Sequence, residues 1–430
     1  MTTASIVLFV VFFLLLLTTT PISVALGLST FLYFFYYTTI PLTQVPDSLF
    51  NALNTFTLTA IPFFVFAANL MTYGGISRRL TEAANAAVGR FPGGLALTAV
   101  VSCMFFAAIS GSSPATVVAV GTLLIPAMIK ANYGRDFSTG IVATSGSLGI
   151  LIPPSIPLIV YGIATEENIG DLFIAGFGPG LLGGLLLLGL VIFVSHRRGL
   201  RGQELPMTGR DRVKAFRDAI LGLFLPFFVL GGIYGGYFTP TEAAAMAVLY
   251  ALVVSLFVYR EIGPRDLVTI TVNSARMSAM IMFIIANAIL FSFVLTSERI
   301  PDEVTNLLVG LDLPKWGFLL TINLFLLVVG CFMETSSAIL ILAPILVPVA
   351  TTLGVNPIHL GIIMVMNLEI GMVTPPFGLN LFVASGLSGL TVIQVAKAAL
   401  PSALVLLAAL FLVTYVPEIT LTLVEMGKSK

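Results

Sequence analysis

Charge is what this chain has least of. It carries 20 Lys and Arg and 20 Asp and Glu in 430 residues, 9% charged against 58% hydrophobic. A soluble domain carries about 25% charged residues. The deficit excludes a water-soluble globule and implies a polytopic membrane protein embedded in lipid. Formal net charge is zero, so no basic excess points to nucleic acid. Cysteine and histidine are also scarce, two of each. Cys103 and Cys331 sit in apolar stretches without metal-ligand spacing and read as small buried residues. His196 falls in a basic loop and His359 at a helix start. No nucleophile–base pair or metal-ligand set falls inside a span, so there are no candidate catalytic residues and an intramembrane enzyme is not expected. No Lys or Arg precedes Arg78. The apolar run 4–17 therefore lacks the basic flank of a signal peptide and is expected to remain as a membrane helix.

Apolar length is what the chain has in abundance. The expected fold is all-α and polytopic, with ten full spans. The region 4–37 breaks at Thr18-Thr-Thr-Pro21 into two short spans. Further spans are expected at 47–74, 137–163, 171–195, 219–237, 241–259, 265–297, 358–388 and 392–418. Segments 76–90 and 298–313 are amphipathic, carry Arg78, Arg79, Glu82, Asp302 and Glu303, and read as interfacial helices. Two regions remain. In 93–130, arms 95–109 and 115–129 flank a polar tip. Fifteen residues at ~1.5 Å rise reach ~22 Å, short of a ~30 Å hydrocarbon core. That predicts a re-entrant helical hairpin. Arms 316–333 and 338–350 form a less equal counterpart.

These two regions look like one design used twice. The first holds Ser110-Gly-Ser-Ser-Pro-Ala-Thr116, Pro126 and Gly149-Ile-Leu-Ile-Pro-Pro154; the second holds Glu334-Thr-Ser-Ser337, Pro348 and Gly371-Met-Val-Thr-Pro-Pro376. Pro92, Pro126, Gly149 and Pro153 recur 222 residues later as Pro314, Pro348, Gly371 and Pro375. Polar, helix-breaking clusters at matching places in two apolar halves point to a secondary transporter with internal repeats. Loop 196–217 carries seven Lys and Arg against two acids and is expected on the cytoplasmic side. Counting spans from it makes the halves opposite in orientation. The first hairpin then opens from the cytoplasm, the second from outside, and both termini lie outside. Lys428 and Lys430 outside run mildly against the charge rule, and the symmetry is given precedence. The division expected is scaffold 1–75, arm helix 76–90, transport region 91–195, loop 196–217, scaffold 218–297, arm helix 298–313, transport region 314–418 and a tail 419–430.

A proline pair inside a span removes two N–H donors and disfavours helix in the residue before it. The helix should unwind at 149–155 and 371–377, and broken backbone at that depth is tolerated only in protein or beside a cavity. Freed carbonyls with Ser and Thr hydroxyls make the hard-oxygen shell that Na⁺ needs, helped by half-helix C-termini. The N-termini after Ser113 and Ser337 point the opposite dipole at an anion. Glu369, two residues before Gly371, is either a proton or ion ligand or a salt-bridge partner. Arg276 either meets a substrate carboxylate or snorkels to the interface. Glu242 in Thr239-Pro-Thr-Glu242 reads as part of a helix start, and Asn69 and Asn287 as helix–helix hydrogen bonders.

At 89–94, 110–116 with Pro126, 149–154, 238–245 and 371–378 the chain resembles the large membrane subunit of tripartite ATP-independent periplasmic (TRAP) transporters, over essentially its whole length. The resemblance implies a bacterial inner-membrane, Na⁺-driven importer of organic acids working by an elevator motion. It implies at least two Na⁺ ions. One would lie at Ser110, Gly111, Ser112 and Ser113 with Gly149, Ile152 and Pro153. The other would lie at Glu334, Thr335, Ser336 and Ser337 with Gly371, Thr374 and Pro375. Substrate would meet Ser113, Pro154, Arg276, Ser337 and Pro376. Two partners are implied besides membrane lipid: a separate small subunit of about four helices and a periplasmic substrate-binding protein. Sialic acid and four-carbon dicarboxylates are both typical substrates, and overall likeness leans to sialic acid. A stand-alone Na⁺/dicarboxylate symporter shares inverted hairpin repeats, but it usually shows Ser-Asn-Thr at its tips, which this chain lacks.

Overall fold

In the computed structural model the described residues are 3–18, 20–38, 41–200, 208–310, 314–376 and 378–428, and they contain helices and no strand. Thr19 of the first break, loop residues 201–207, the end of the second arm at 311–313, Phe377 and Lys430 lie outside them. Eight of the helices are long and apolar enough to cross a membrane. With lipid unable to satisfy an open backbone, an apolar chain of this kind must close its hydrogen bonds helix by helix.

The chain opens with α1 (Thr3–Leu17) and α2 (Ile22–Tyr36), separated by the break at Pro21. The span expected at 47–74 is instead two helices, α3 (Gln44–Leu53) and α4 (Ala60–Tyr73), joined through a 3₁₀ turn at Phe56–Thr59. Asn54-Thr-Phe-Thr57 has poor helix formers and no strong breaker. That weak stop was hidden by the apolar character on both sides. The amphipathic α5 (Ile76–Val88) follows, then α6 (Gly94–Ser110), α7 (Ser113–Lys130), α8 (Arg135–Gly146), α9 (Ile156–Thr165) and α10 (Ile169–Arg198). A 3₁₀ turn at Ser147–Ile150 ends α8 ahead of the proline pair.

The second half runs α11 (Gly209–Tyr234), α12 (Pro240–Val253) with a π-helical turn at Val254–Val258, α13 (Pro264–Ser297) and α14 (Ile300–Gly310). It continues with α15 (Lys315–Gly330), α16 (Thr335–Thr352), α17 (Pro357–Gly371), α18 (Leu379–Ser388) and α19 (Val392–Tyr415). The segment read as a tail, 419–430, is a helix over its described part, α20 (Glu418–Lys428). It packs on α10, and Thr420 takes the His359 ring Nδ1 at 2.7 Å. Its apolar residues are spaced for one buried face, a pattern too short to stand out next to the long spans.

Packing gathers most helices into two sets, which α5 on α6 and α13 on α16 join to each other, with α14 packed on α16 and α13. One joins α1–α5 with α11–α13, through contacts such as α4 on α12, α5 on α11 and α2 on α13. The other joins α6–α10 with α15–α20, through α8 on α19, α7 on α18 and α9 on α16. Tyr33 and Ser5 both donate to Glu298, which ties α1 and α2 to the end of α13. Asn69 donates to Ser274 at 2.8 Å between α4 and α13. Asn287 sits against Gly27 of α2. Thr239 and Glu242 cap α12 reciprocally, with the Thr239 N–H donating to Glu242 at 2.7 Å and the Glu242 N–H to Thr239 Oγ1 at 3.3 Å.

A candidate ion and substrate site between two helix tips

The first tip is built from the α6–α7 turn. Ser110 ends α6, Gly111 adopts φ +56°, and Ser112 is extended before α7 restarts at Ser113 with Pro114 in its first turn. The turn reverses the chain in two residues, and α6 and α7 pack along each other. A positive φ suits glycine, and close approach demands it as well. A Cβ on Gly111 would sit 3.0 Å from the Pro154 carbonyl oxygen, and the Ile156 N–H donates to the Gly111 carbonyl at 3.4 Å. The tip thus lies against the backbone that follows the first proline pair. Ser110 and Thr116 share a hydrogen bond of 2.9 Å, and Thr116 donates to the Ser112 carbonyl at 2.8 Å. Gly149 faces both: a Cβ there would meet Thr116 Oγ1 at 2.8 Å and the Ser112 carbonyl at 3.4 Å. The structure therefore brings 110–113 together with Gly149 and Pro154. Pro153 is buried in the same break. Ile152 buries its side chain against Ala108 and Met104, so only its backbone has a polar atom to offer.

The second tip lies between α15 and α16. Glu334 caps α16, accepting from the Ser337 N–H at 3.0 Å and the Ser337 hydroxyl at 3.2 Å. Such a side-chain acceptor satisfies one of the orphan donors of a helix start. Thr335 donates to Glu369 Oε1 at 2.8 Å. Ser336 and Ser337 are buried. Gly371 is pressed against the end of α15. A Cβ on it would lie 2.5 Å from both Cα and C of Gly330. The Gly378 N–H donates to the Cys331 carbonyl at 3.3 Å, closing the break over the tip. Thr374 donates back to Ile370 at 2.8 Å.

The two sites are not equal. Both proline-pair peptides are cis. Pro153 and Pro154 are buried, whereas Pro375 and Pro376 are exposed and Thr374 is half-buried. The arms α6 and α7 pack closely, whereas α15 and α16 touch little and are bridged by α17. Three of the arms run longer than expected, with α7 and α16 at 18 residues each, while α15 is shorter at 16. Glu334 caps α16 with its side chain, whereas α7 opens after Ser112 without a side-chain cap, so the short turn at each tip, more than arm length, defines the hairpins.

One connection had no signal in the reading of the repeats. Ser113 donates to Asn380 Oδ1 at 2.9 Å, and Asn380 Nδ2 donates to Ser147 Oγ at 3.2 Å. Ser147 in turn reaches the Glu369 carbonyl at 3.5 Å. The chain Thr335–Glu369–Ser147–Asn380–Ser113 joins the tips of the two halves, and all five residues are buried. Arg276 is not brought to this place. It is exposed on α13, while Ser274 and Ser278 are buried. Two residues along a helix is about 200° of rotation, so Arg276 takes the opposite face.

The profile of the family described as "Tripartite ATP-independent periplasmic transporter, DctM component" matches residues 9–419. The chain belongs to this family. It is 48% identical over 399 residues to the C4-dicarboxylate TRAP transporter large permease protein DctM of Pseudomonas aeruginosa, covering 93% of each chain. It is 35% identical over 381 residues to the sialic acid TRAP transporter large permease protein SiaM of Vibrio cholerae, covering 88% of this chain and 89% of that one. Among solved structures, the YdaH transporter of Alcanivorax borkumensis aligns with a TM-score of 0.60 at 17% identity, over 95% of this chain and 98% of that chain. That likeness concerns the fold. As a TRAP large permease, the chain is a multi-pass membrane component of a tripartite transport system.

Proposed function

We propose that this large permease imports an organic acid across the bacterial inner membrane by Na⁺ symport, with at least two Na⁺ ions at the two tips. In this reading ten segments span the bilayer and the α6–α7 and α15–α16 hairpins re-enter from opposite faces. The group α6–α10 with α15–α20 moves as an elevator past α1–α5 and α11–α14. A separate four-helix small subunit completes the membrane part, and a periplasmic binding protein delivers substrate. The protein is a transporter and carries no catalytic residues. The observation that carries the reading is the seating of each hairpin against a glycine-led break, the tip glycine Gly111 on Pro154 in the first and the end of α15 at Gly330 on Gly371 in the second. Among the described residues hydroxyls and, at the second tip, the Glu334 and Glu369 carboxylates gather there with no basic side chain bonded to them, which suits a hard monovalent cation.

For substrate, the relative named for C4-dicarboxylates is more similar than the one named for sialic acid, 48% against 35% identity. We therefore favour a four-carbon dicarboxylate over the sialic acid suggested by general likeness. The test is uptake of labelled succinate and sialic acid into proteoliposomes holding both membrane subunits and the binding protein, with and without a Na⁺ gradient. Uptake indifferent to Na⁺ overturns the symport reading. Robust uptake by the chain alone would instead favour the stand-alone symporter.

A further inference from the structure

Glu369 is the one acidic side chain of α17, and it is 1% exposed. One carboxylate oxygen, Oε1, accepts from Thr335. The other, Oε2, is buried with no hydrogen-bond partner. No basic residue among the described ones pairs with it, which removes the salt-bridge alternative. Lys315 and Lys397 lie in the opening turns of α15 and α19, and the charges of α10 sit at its two ends. Glu334, which caps α16, adds a second negative charge to the surroundings. A buried carboxylate without a counter-charge is costly, and neutralisation by a bound ion is one of the few remedies open to it.

The oxygens around it are placed for that remedy. Ser113 lies beside the same carboxyl but gives its proton to Asn380. Its lone pairs are thus left facing Glu369. Thr335 Oγ1, Asn380 Oδ1 and Ser147 Oγ belong to the same connected network. Oxygens that share a cation at about 2.4 Å stand further apart than hydrogen-bonded ones. A buried, partnerless Oε2 leaves a coordination position that such a cation can take. Among the described residues no cluster of three or more His, Cys, Asp or Glu exists. One carboxylate with neutral oxygens matches a monovalent cation better than a divalent or transition metal.

We propose that Glu369 Oε2 and the Ser113 hydroxyl form a central Na⁺ site between the two tips, sharing Ser113 with the ion position at the first break. It rests on the Na⁺-symport reading. Because its ligands come from both halves, an ion there would hold the first tip to the second break. The test uses the full permease with its small subunit and counts Na⁺ by equilibrium binding with NaCl against choline chloride. Glu369→Gln, nearly isosteric and neutral, should bind one Na⁺ fewer per chain than wild type. Unchanged Na⁺ stoichiometry in Glu369→Gln overturns the site. Unchanged stoichiometry with loss of the pH dependence of uptake would assign the carboxyl to a proton instead. If Glu369→Gln does not fold, Glu369→Asp decides. It keeps the charge but retracts it by one methylene, and should hold the full ion count with about tenfold weaker affinity for one ion. Full count at wild-type affinity overturns the site. No Na⁺ binding by wild type would sink the symport reading itself, a separate outcome.

Discussion

A methyl group on Gly371 has nowhere to go. The Cβ of Gly371→Ala would lie 2.5 Å from Cα and C of Gly330 and 2.9 Å from the Cys331 nitrogen. Carbon atoms in contact rest at about 3.5–4.0 Å, so the ends of α15 and α17 must part by roughly 1 Å. Both obstacles are backbone, and the same backbone carries the Cys331 carbonyl that accepts from Gly378. Overpacking of this kind costs about 1–3 kcal/mol. Gly149→Ala is the internal control. Its nearest neighbour is the Thr116 hydroxyl at 2.8 Å, which can rotate away at the expense of the Ser110–Thr116 hydrogen bond, about 1 kcal/mol. If the strain opposes the ion-bound arrangement, about 2 kcal/mol raises the half-saturating Na⁺ concentration roughly 30-fold at Gly371, at about 1.4 kcal/mol per decade. At Gly149 the rise should stay under about tenfold. Uptake against Na⁺ concentration in proteoliposomes, with thermal unfolding in detergent as a companion, reads both. A neutral Gly371→Ala, or a Gly149→Ala more damaging than it, refutes the argument that backbone contact at the second break sets ion affinity.

The other expectations can be checked alongside. Ser113→Ala and Ser337→Ala each remove a hydroxyl from a tip and should raise the half-saturating Na⁺ concentration, about tenfold for ~1.4 kcal/mol; an unchanged Na⁺ dependence in both would remove these two hydroxyls from the ion sites. Thr239→Ala deletes the α12 cap and should cost about 1 kcal/mol of stability while leaving Na⁺ affinity alone, as seen by unfolding and uptake together. Single cysteines at Gly111 and Thr335 should be labelled by membrane-impermeant reagents from opposite faces or not at all; full labelling of either in every condition contradicts the hairpin arrangement.

What could be read from the residues was whatever breaks a helix loudly. Pro153-Pro154 and Pro375-Pro376 remove donors outright, and the structure has non-helical backbone at both. Asn54–Thr57 stops a helix only through weak propensity, so α3 and α4 were read as one span. The serines and glycines of the tips were visible because their neighbours are apolar. Asn380 was not, because a lone Asn in an apolar helix says nothing about which distant hydroxyl it meets. Its partners are 267 and 233 residues away. Arg276 misled for a related reason. Its type suited a carboxylate substrate, but helical phase, fixed by the burial of Ser274 and Ser278, decided its side.

The inequality of the two breaks bears on how a symmetric sequence produces a directional cycle. The halves place glycine and the proline pair in the same register, yet Pro153 and Pro154 are buried while Pro375 and Pro376 are exposed. The landmark glycine and prolines match in the two halves, so the difference lies in how each arm pair is held. The first pair, α6 and α7, is closed on itself and on α8. The second, α15 and α16, leaves a gap filled by α17, with α16 also held by α13 and α14. A transporter that alternates access needs two arrangements close in free energy, each closing one tip over its break while the other loosens. Asn380 sits where such an exchange would be communicated. It follows the second break by a few residues and its side chain holds the first tip and the end of α8. Asn380→Ala should therefore weaken the cooperativity of Na⁺ dependence more than the affinity of either ion. A Hill coefficient for Na⁺ equal to that of wild type, in a variant that still transports, would show that the two tips are coupled by some other route.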